Sequence, residues 1–365
     1  MPLNTVDLFT RRTLMGVIEK QIKTPVYLRD RFFKRGQDFD TEAVDVDIVD
    51  SRDRVLAKFG VEEGNGHLSY DRGFVTESYR PAYIDERFVV NSRDLRKRAP
   101  GEYIYEDGGM ELDKANARMA NIVRRGLERL DKRISRLEEA MCAEAILTGK
   151  ILVRSNQVNA EFDFWKNLSE DEKPVTTLTT PWTDSSSNPL DDLSIIADKM
   201  GDAIGVRPKE LYVGTAVWRA LRNYFTGRGK DVLDITRVDL GRINPQAADV
   251  NDVSYKGHLN DPDLDIYTYT GTYEKDGEIK HYIPEDSVLM VGAGAEDYTY
   301  RAYGACEVAD EDNKTGRLMA GNRVVDTWYQ RDGKKGQVVQ IQSAPVMIVS
   351  EPRMFHVIRG AVNAS

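Results

Sequence analysis

Histidine and cysteine, the side chains best suited to bind zinc, are few in this sequence and widely spaced. The sequence contains His67, His258, His281, His356, Cys142 and Cys306. A structural zinc site draws its four ligands from short, regular spacings. No such spacing connects these residues, so the sequence predicts no metal site. Two cysteines far apart in the chain also favour a reducing compartment without structural disulfides.

Three short stretches resemble ligand-binding loops, and each lacks a position that the chemistry requires. GAGAED at 292–297 follows a strand-like run, but an aspartate occupies the third glycine position of a dinucleotide loop. GRGK at 227–230 has neither the upstream glycine nor the hydroxyl residue after lysine that a phosphate loop needs. DEDNKTG at 310–316 does not place its glycine where a calcium loop does. We therefore expect no bound cofactor.

Nucleophilic and acid–base motifs are also missing. The sequence contains neither GxSxG nor HExxH. Glu138 and Glu139 form a pair of carboxylates, but adjacent residues on a helix point in different directions and are poorly placed to share a substrate. The sequence thus predicts no catalytic residue and favours a protein that is not an enzyme.

Two groups of basic residues stand out instead. Arg93, Arg96, Lys97 and Arg98 form a cluster without interleaved aromatic residues, which argues against a single-stranded nucleic-acid platform. A second series repeats at three and four residues: Arg125, Arg129, Lys132, Arg133 and Arg136. On a helix this spacing sets like charges side by side, at a small cost in stability. The series indicates either a solvated face or a surface for an acidic partner.

The second basic series lies within a long helical pattern at 112–148. Apolar residues recur along one face of the predicted helix: Met119, Val123, Leu127, Leu130, Ile134, Leu137 and Met141. No proline interrupts the stretch, and its length corresponds to a rod of about 55 Å. The stripe is narrow enough for a coiled coil, but strand-like sequence on both sides favours a helix that crosses a sheet.

Composition limits the class of protein. The chain has 365 residues, 30% of them charged, and a net charge of −9, which indicates a large soluble protein without bias toward nucleic acid or membrane. Its start lacks a secretory signal, and its apolar runs are too short to span a bilayer.

The other elements are mixed in order, which excludes a regular doubly wound sheet. An amphipathic helix capped by Thr5 opens the chain, and a strand-like ribbon over 50–91 follows. Helices are predicted at 189–200 and 216–224, a buried strand at 288–291, and hairpins at Asp276-Gly277 and Asp332-Gly333. Pro345 indicates an edge or a bulge in the last arm.

Several of these segments resemble, in order, the major capsid proteins of tailed phages, the family typified by the phage lambda shell protein. The segments are YLRDRFF (27–33), YRPAY (79–83), LTGK (147–150), NPLDDL (188–193), VSYKG (253–257), YTGTYEKDGEIKHYIPEDSVLMVG (269–292), RAYG (301–304) and IQSAPVMIVSEP (341–352). No single segment is diagnostic, but their common order extends along nearly the whole chain.

The resemblance implies an α+β chain with the tailed-phage and herpesvirus type of capsid fold. Its parts would be an N-terminal arm (1–48), an extended loop or β-ribbon (49–95), a peripheral domain (96–189) with a spine helix (112–148), an axial domain (190–325), and C-terminal strands of the peripheral domain (326–365). The spine would pack Val123, Leu127, Leu130, Ile134 and Leu137 on the peripheral sheet. The ribbon would lie on a neighbouring subunit.

The implied function is structural. Subunits of this family form hexameric and pentameric capsomers of an icosahedral head around packaged double-stranded DNA, in the host cytoplasm. The implied partners are a scaffolding protein, a portal and, as a further candidate, a decoration protein, with DNA only in non-specific proximity and no membrane. Eight residues are candidate contacts between subunits: Leu68, Phe74, Tyr79, Arg96, Arg98, Arg125, Arg129 and Arg133. The alternatives are a bacterial nanocompartment shell of the same fold and, further away, a soluble enzyme.

Overall fold

Four helices organise the parts of the chain that the structure describes. The computed structural model describes residues 14, 26–41, 43–49, 74–91, 112–154, 159–227, 252–309, 316–331, 333 and 335–362. Its helices are α1 (Tyr27–Arg31), α2 (Leu112–Thr148), α3 (Pro189–Ile204) and α4 (Thr215–Gly227). Single 3-10 turns occupy Glu170–Glu172, Ala295–Asp297 and Pro352–Met354. The helices predicted at 112–148, 189–200 and 216–224 are confirmed. The predicted helix at Thr5 lies outside the described residues, apart from Leu14.

The strands alternate with these helices without a regular order, as an α+β fold requires. In chain order they are β1 (Arg35–Asp38), β2 (Val44–Val49), β3 (Phe74–Tyr79), β4 (Ile84–Val90), β5 (Lys150–Arg154), β6 (Asn159–Asp163), β7 (Val175–Thr177), β8 (Pro208–Val213), β9 (Val253–Asn260), β10 (Asp263–Tyr269), β11 (Thr272–Lys275), β12 (Glu278–His281), β13 (Val288–Gly292), β14 (Thr299–Tyr303), β15 (Cys306–Ala309), β16 (Gly316–Met319), β17 (Val324–Gln330), β18 (Gly336–Ser343), β19 (Pro345–Val349) and β20 (Phe355–Arg359).

A six-stranded sheet lies at the centre, with the order β7-β20-β13-β8-β10-β9. Both of its faces are covered. Leu211 and Val213 of β8 face a core that α3 and α4 complete. Tyr212, between them, faces the opposite core together with the C-terminal half of α2. Burial on both faces explains why the predicted strand at 288–291 has only apolar residues.

Helix α2 is long and packs on three sheets. Its first half packs Val123, Leu127, Leu130 and Ile134 on the three-stranded sheet β17-β18-β4. Its second half packs against β19 and against the core on the face of the central sheet that includes Tyr212. The helix therefore lies across sheets, as the flanking sequence predicted, and is not a coiled coil.

One part of the predicted stripe is wrong. Leu137 is 46% exposed, whereas Glu138 is fully buried. A straight helix has 3.6 residues per turn, so a heptad spacing drifts around it by about 20° per repeat. After Ile134 the buried face has moved on to Glu138, Met141 and Cys142.

The predicted ribbon over 50–91 divides between two sheets. Strands β2 and β3 pair with each other, from Val44 opposite Tyr79 to Val49 opposite Phe74. Strand β4 instead pairs with β18 of the C-terminal hairpin in the same chain. The part of the ribbon at 84–90 is thus covered within its own subunit, and the placement of the remainder on a neighbour stays a prediction. The domain boundaries stay a prediction as well.

Both predicted hairpins are present. Asp276 and Gly277 have positive φ angles of 57° and 82°, as a two-residue turn between β11 and β12 requires. Strands β17 and β18 form the second hairpin. Pro345 is the first residue of β19, which is an edge strand, so its missing N–H costs no sheet hydrogen bond.

Candidate functional site

The solvent face of α2 carries four basic side chains in one row. Arg125, Arg129, Lys132 and Arg136 are exposed, and in the described part of the chain none of them makes an ion pair. Their spacing of four, three and four residues keeps them on one side of the helix over about 16 Å. We call these four residues the cationic stripe. Arg124 and Arg133, which flank it, pair with Glu128 and Glu86.

The same helix also contributes to a buried charge cluster of Arg29, Asp131, Glu138, Glu139 and Arg323. Glu138 accepts hydrogen bonds from Arg29 Nη1 at 2.7 Å and from Arg323 Nη1 at 2.6 Å and Nη2 at 3.1 Å. Arg323 Nε also donates to Asp131 at 2.8 Å. One carboxylate on α2 therefore joins a segment from the start of the chain to one that precedes β17.

Electrostatics keep Glu138 ionised in this setting. Burial alone would raise the pKa of Glu138, but Arg323 and Arg29 outweigh that effect and hold the pKa below its usual range. Because the charges compensate one another and are joined by hydrogen bonds, the cost of burying them is offset.

Glu139 fixes the beginning of α1. Its carboxylate accepts the backbone N–H of Leu28 at 2.7 Å and of Arg29 at 3.0 Å, two groups that a helix start leaves without intrahelical partners. Tyr269 Oη of β10 donates to it at 2.8 Å. Burial raises the pKa of Glu139, although these donors oppose the shift. The two adjacent carboxylates thus point to different partners, as predicted, and hold structure in place.

A second network attaches the same segment to the central sheet. Tyr27 Oη lies 2.7 Å from Tyr212 Oη, which in turn donates to Glu210 at 2.7 Å. Arg31 pairs with Glu210 and lies 3.5 Å from Glu296. Strand β1 then continues the segment parallel to β14. Residues 26–38 therefore contact α2, the central sheet and the β14–β19 pair at once.

A groove adjoins the C-terminal end of the cationic stripe. It has a volume of about 650 Å³ and lies between α2, the start of β4, β5 and the β11–β12 hairpin. Its apolar lining includes Tyr83, Leu137 and Leu152, all exposed. Its charged rim includes Arg136, and also Glu144, which lies 3.8 Å from Lys275.

The eight predicted contact residues have different environments in the structure. Leu68, Arg96 and Arg98 lie outside the described residues, and Phe74 is placed on β3 without a described side chain. Arg125 and Arg129 are exposed, and Arg133 is 3.1 Å from Glu86. The prediction that Tyr79 contacts another subunit is wrong. Tyr79 is buried in its own subunit, with its ring 5.6 Å from that of Phe162, because β3 places it on the main core.

Sequence reasoning missed the buried charge cluster. Position 138 follows Ile134 by four residues, so a period of 3.6 predicts a buried side chain there, and glutamate at such a position signals a buried partner. The partners themselves are 109 and 185 residues away. Their pairing leaves no local pattern in the sequence.

The described residues offer little for other chemistry. No group of three metal-binding side chains occurs among them, and no helix among them is long and apolar enough to cross a membrane. The GAGAED stretch follows β13, which is antiparallel to both neighbours, so it does not open the helix of a βαβ unit. Both cysteines are buried and unpaired.

Comparison with known proteins gives relatives of full length. The prophage-derived major head protein of Escherichia coli O6:H1 (strain CFT073) is 27% identical over 358 residues, which cover 97% of this chain and 99% of that protein. The major capsid protein of Escherichia phage lambda is 24% identical over 359 residues, covering 96% and 98% of the two chains.

A structural comparison and a family comparison lead to the same group of proteins. A crystal structure described as a prophage capsid protein from E. coli CFT073 matches with a TM-score of 0.64 at 19% identity, over 96% of this chain and 99% of the other. The described mixture of helices and sheets is therefore the capsid fold of tailed phages. The sequence model of the phage major capsid protein E family matches residues 10–358, and the chain belongs to this family.

Proposed function

We propose that this chain is the structural subunit of an icosahedral phage head, in which hexamers and pentamers enclose packaged double-stranded DNA. The observation that carries the proposal is the family match over residues 10–358, extended by head proteins that align over their whole length. The family is one of structural proteins, so the chain is not an enzyme.

The fold suits assembly from many weak contacts. A patch that meets a different patch on the next copy generates rings when the rotation closes, as in a capsomer. Each contact can be weak, because engagement of one raises the effective concentration of the others. Helix α2 and the buried charge cluster connect residues 26–38, the central sheet and the C-terminal hairpin within one subunit.

A nanocompartment shell is the second candidate. Both types of shell need a subunit with this architecture, so the fold does not separate them. The family and the curated relatives are phage head proteins, which favours the first candidate.

Further partners follow from the same function. We infer that the head assembles in the host cytoplasm with a scaffolding protein and is then filled through a portal, and a decoration protein is a further candidate partner. The net charge of −9 suits a wall that encloses DNA without binding it tightly, since phosphate contacts with basic residues would retain the DNA.

Electron microscopy of the purified chain, alone and co-expressed with the other head proteins of its source, tests the function. We expect closed shells or tubes. A chain that stays monomeric under both conditions would contradict both shell candidates, and an enclosed enzyme would favour the nanocompartment.

The ribbon is tested by a deletion between β2 and β3. Removal of 55–85 would also delete β3 and the buried Tyr79, so loss of assembly would be ambiguous. Replacement of residues 50–73 by Asn-Gly keeps both strands and gives them a suitable turn. We expect a folded subunit that no longer forms shells. Normal shells from this variant would exclude the ribbon as an essential contact.

A further inference from the structure

The cationic stripe is an exception on an acidic protein. Four basic side chains stand in one row on α2, while the whole chain carries a net charge of −9. Like charges at three- and four-residue spacing destabilise a helix slightly unless negative charge faces them. Other basic residues nearby have partners within the subunit: Arg124 pairs with Glu128, Arg133 with Glu86 and Lys150 with Glu161. Within the part of the chain that the structure describes, the four residues of the stripe have no such partner.

The apolar groove continues this surface. Arg136, the last residue of the stripe, lines the groove, and the exposed side chain of Leu137 lines it as well. Leu137 and Tyr83 are 46% and 62% exposed, which is unusual for large apolar side chains that lie together in a concavity. Adjacent exposed apolar side chains in such a concavity mark an interaction site. Charge and apolar area thus form one surface along about 25 Å of helix.

We propose that the cationic stripe and the adjoining groove are the docking surface for an acidic, amphipathic segment of another polypeptide. Its carboxylates would face Arg125, Arg129, Lys132 and Arg136, and its apolar side chains would enter the groove beside Leu137. The inference rests on the proposed function only in that a head subunit assembles together with other proteins.

Nucleic acid fits this surface less well. A phosphate backbone would satisfy the four charges but would bury neither Leu137 nor Tyr83. The described surface around the stripe also lacks the stacked aromatic platform that single strands use, since Tyr83 is at the far, groove end. An amphipathic helix, by contrast, presents carboxylates and apolar side chains at the same spacing of three and four residues.

Helix α3 of a second copy is also a weaker match. The exposed side of α3 carries Asp191, Asp198 and Asp202, but Lys199 lies among them. Asp198 is moreover 3.1 Å from Arg207 in its own subunit. Docking of α3 on the stripe would therefore bring lysine against arginine and break an existing pair.

Fluorescence anisotropy with a labelled helical peptide tests the proposal on the full-length subunit. The peptide has about 18 residues, with glutamates at spacings of four, three and four and leucines in the following turn. We expect it to bind, and we expect R129E/R136E to weaken binding at least tenfold. R219E/R222E, which makes the same charge change at two exposed arginines of α4, should leave binding unchanged. L137S should weaken binding several-fold without altering its salt dependence.

Three outcomes would overturn the inference. The first is no binding, or binding that R219E/R222E reduces as much as R129E/R136E does. The second is displacement of the peptide by a 20-base-pair DNA duplex together with no effect of L137S, which would make the stripe a nucleic-acid surface. The third is self-association that R129E/R136E abolishes, which would return the arginines to contacts between subunits.

The experiment separates this inference from the proposed function. A wild-type chain that forms shells but does not bind the peptide contradicts the docking surface alone. A chain that binds the peptide but forms no shells under any condition contradicts the proposed function alone.

Discussion

At the scale of single residues, Glu138 joins two distant segments, because it accepts hydrogen bonds from both Arg29 and Arg323. We expect Glu138→Gln to lower the free energy of unfolding by about 3 kcal/mol, because Arg29 and Arg323 would keep their burial and lose their counter-charge. Urea denaturation at pH 7 measures the change. Glu170→Gln, at an exposed pair with Lys173, is the matched control and should change stability by less than about 0.5 kcal/mol. Equal effects of both variants would show that the cluster contributes no more than a surface pair.

His356 gives the subunit a pH dependence of its own. Burial, assisted by the positive charge of Lys199, lowers the pKa of His356 to about 4, while an unfolded histidine titrates near 6.5. Between these values the unfolded chain binds a proton that the folded chain does not, so stability rises with pH through that window.

We expect His356→Gln to reduce the stability difference between pH 5 and pH 7 by about 2 kcal/mol, from the same two pKa values. Glutamine does not titrate and can still bond to Thr176, whose Oγ1 is 2.8 Å from the histidine ring. Denaturant titrations at the two pH values measure the change. His281→Gln, the same substitution at a more exposed histidine, is the matched control.

The residue scale is also where sequence reasoning was least successful. The exposed arginines of α2 follow from local spacing and were predicted. The exposure of Leu137 follows from the drift of a heptad spacing on a straight helix, whereas the burial of Tyr79 depends on elements far away in the chain. Arg29 and Arg323, which are 109 residues before and 185 residues after Glu138, meet there only in the folded chain. No periodicity within a segment contains that information.

At the scale of elements, the register of α2 on its sheet depends on one glycine. A Cβ at Gly126 would lie 2.4 Å from Cζ of Phe88 on β4, so the ring lies directly on the helix backbone. We expect Gly126→Ala to destabilise the subunit by about 1–3 kcal/mol through overpacking, although alanine is the better helix former by about 1 kcal/mol. Thermal or urea denaturation measures the result.

The double variant G126A/F88L is the matched control for that prediction. Leucine at position 88 removes the ring that alanine at position 126 would meet. The double variant should therefore lose less free energy of unfolding than the sum of the losses in the two single variants. A stabilising effect of Gly126→Ala alone would show that Phe88 can move aside and does not set the register.

Local patterns predicted the elements better than their partners. The bounds of α2 and the two hairpin turns follow from apolar period and turn chemistry, which act over a few residues. The pairing of β4 with β18 could not be predicted, because β4 alternates like a free ribbon strand and its partner lies some 250 residues later. Pro345 indicated that the last arm divides into β18 and β19 at Ala344. Nothing in the sequence indicated that these two strands belong to different sheets.

At the scale of the whole molecule, the fold class and family were predicted from the order of weak segments. Each segment alone is common, but their collinear arrangement along the chain is restrictive. The surfaces that meet other copies are different, because an exposed side chain has no sequence pattern that separates solvent from a partner. For this reason the candidate contacts remain predictions while the family is shown.

Net charge allows a test of assembly that does not depend on any one contact. Subunits of net charge −9 repel one another as a shell concentrates them, and salt screens this repulsion over about 10 Å at 0.1 M. We therefore expect the critical protein concentration for assembly to decrease when NaCl is raised from about 20 to about 200 mM. Light scattering and sedimentation measure this concentration. R219E/R222E carries a net charge of −13, since each Arg→Glu change adds two negative charges to −9, and should need more salt for the same assembly. A critical concentration that instead rises with salt would mean that ion pairs between subunits outweigh the overall repulsion.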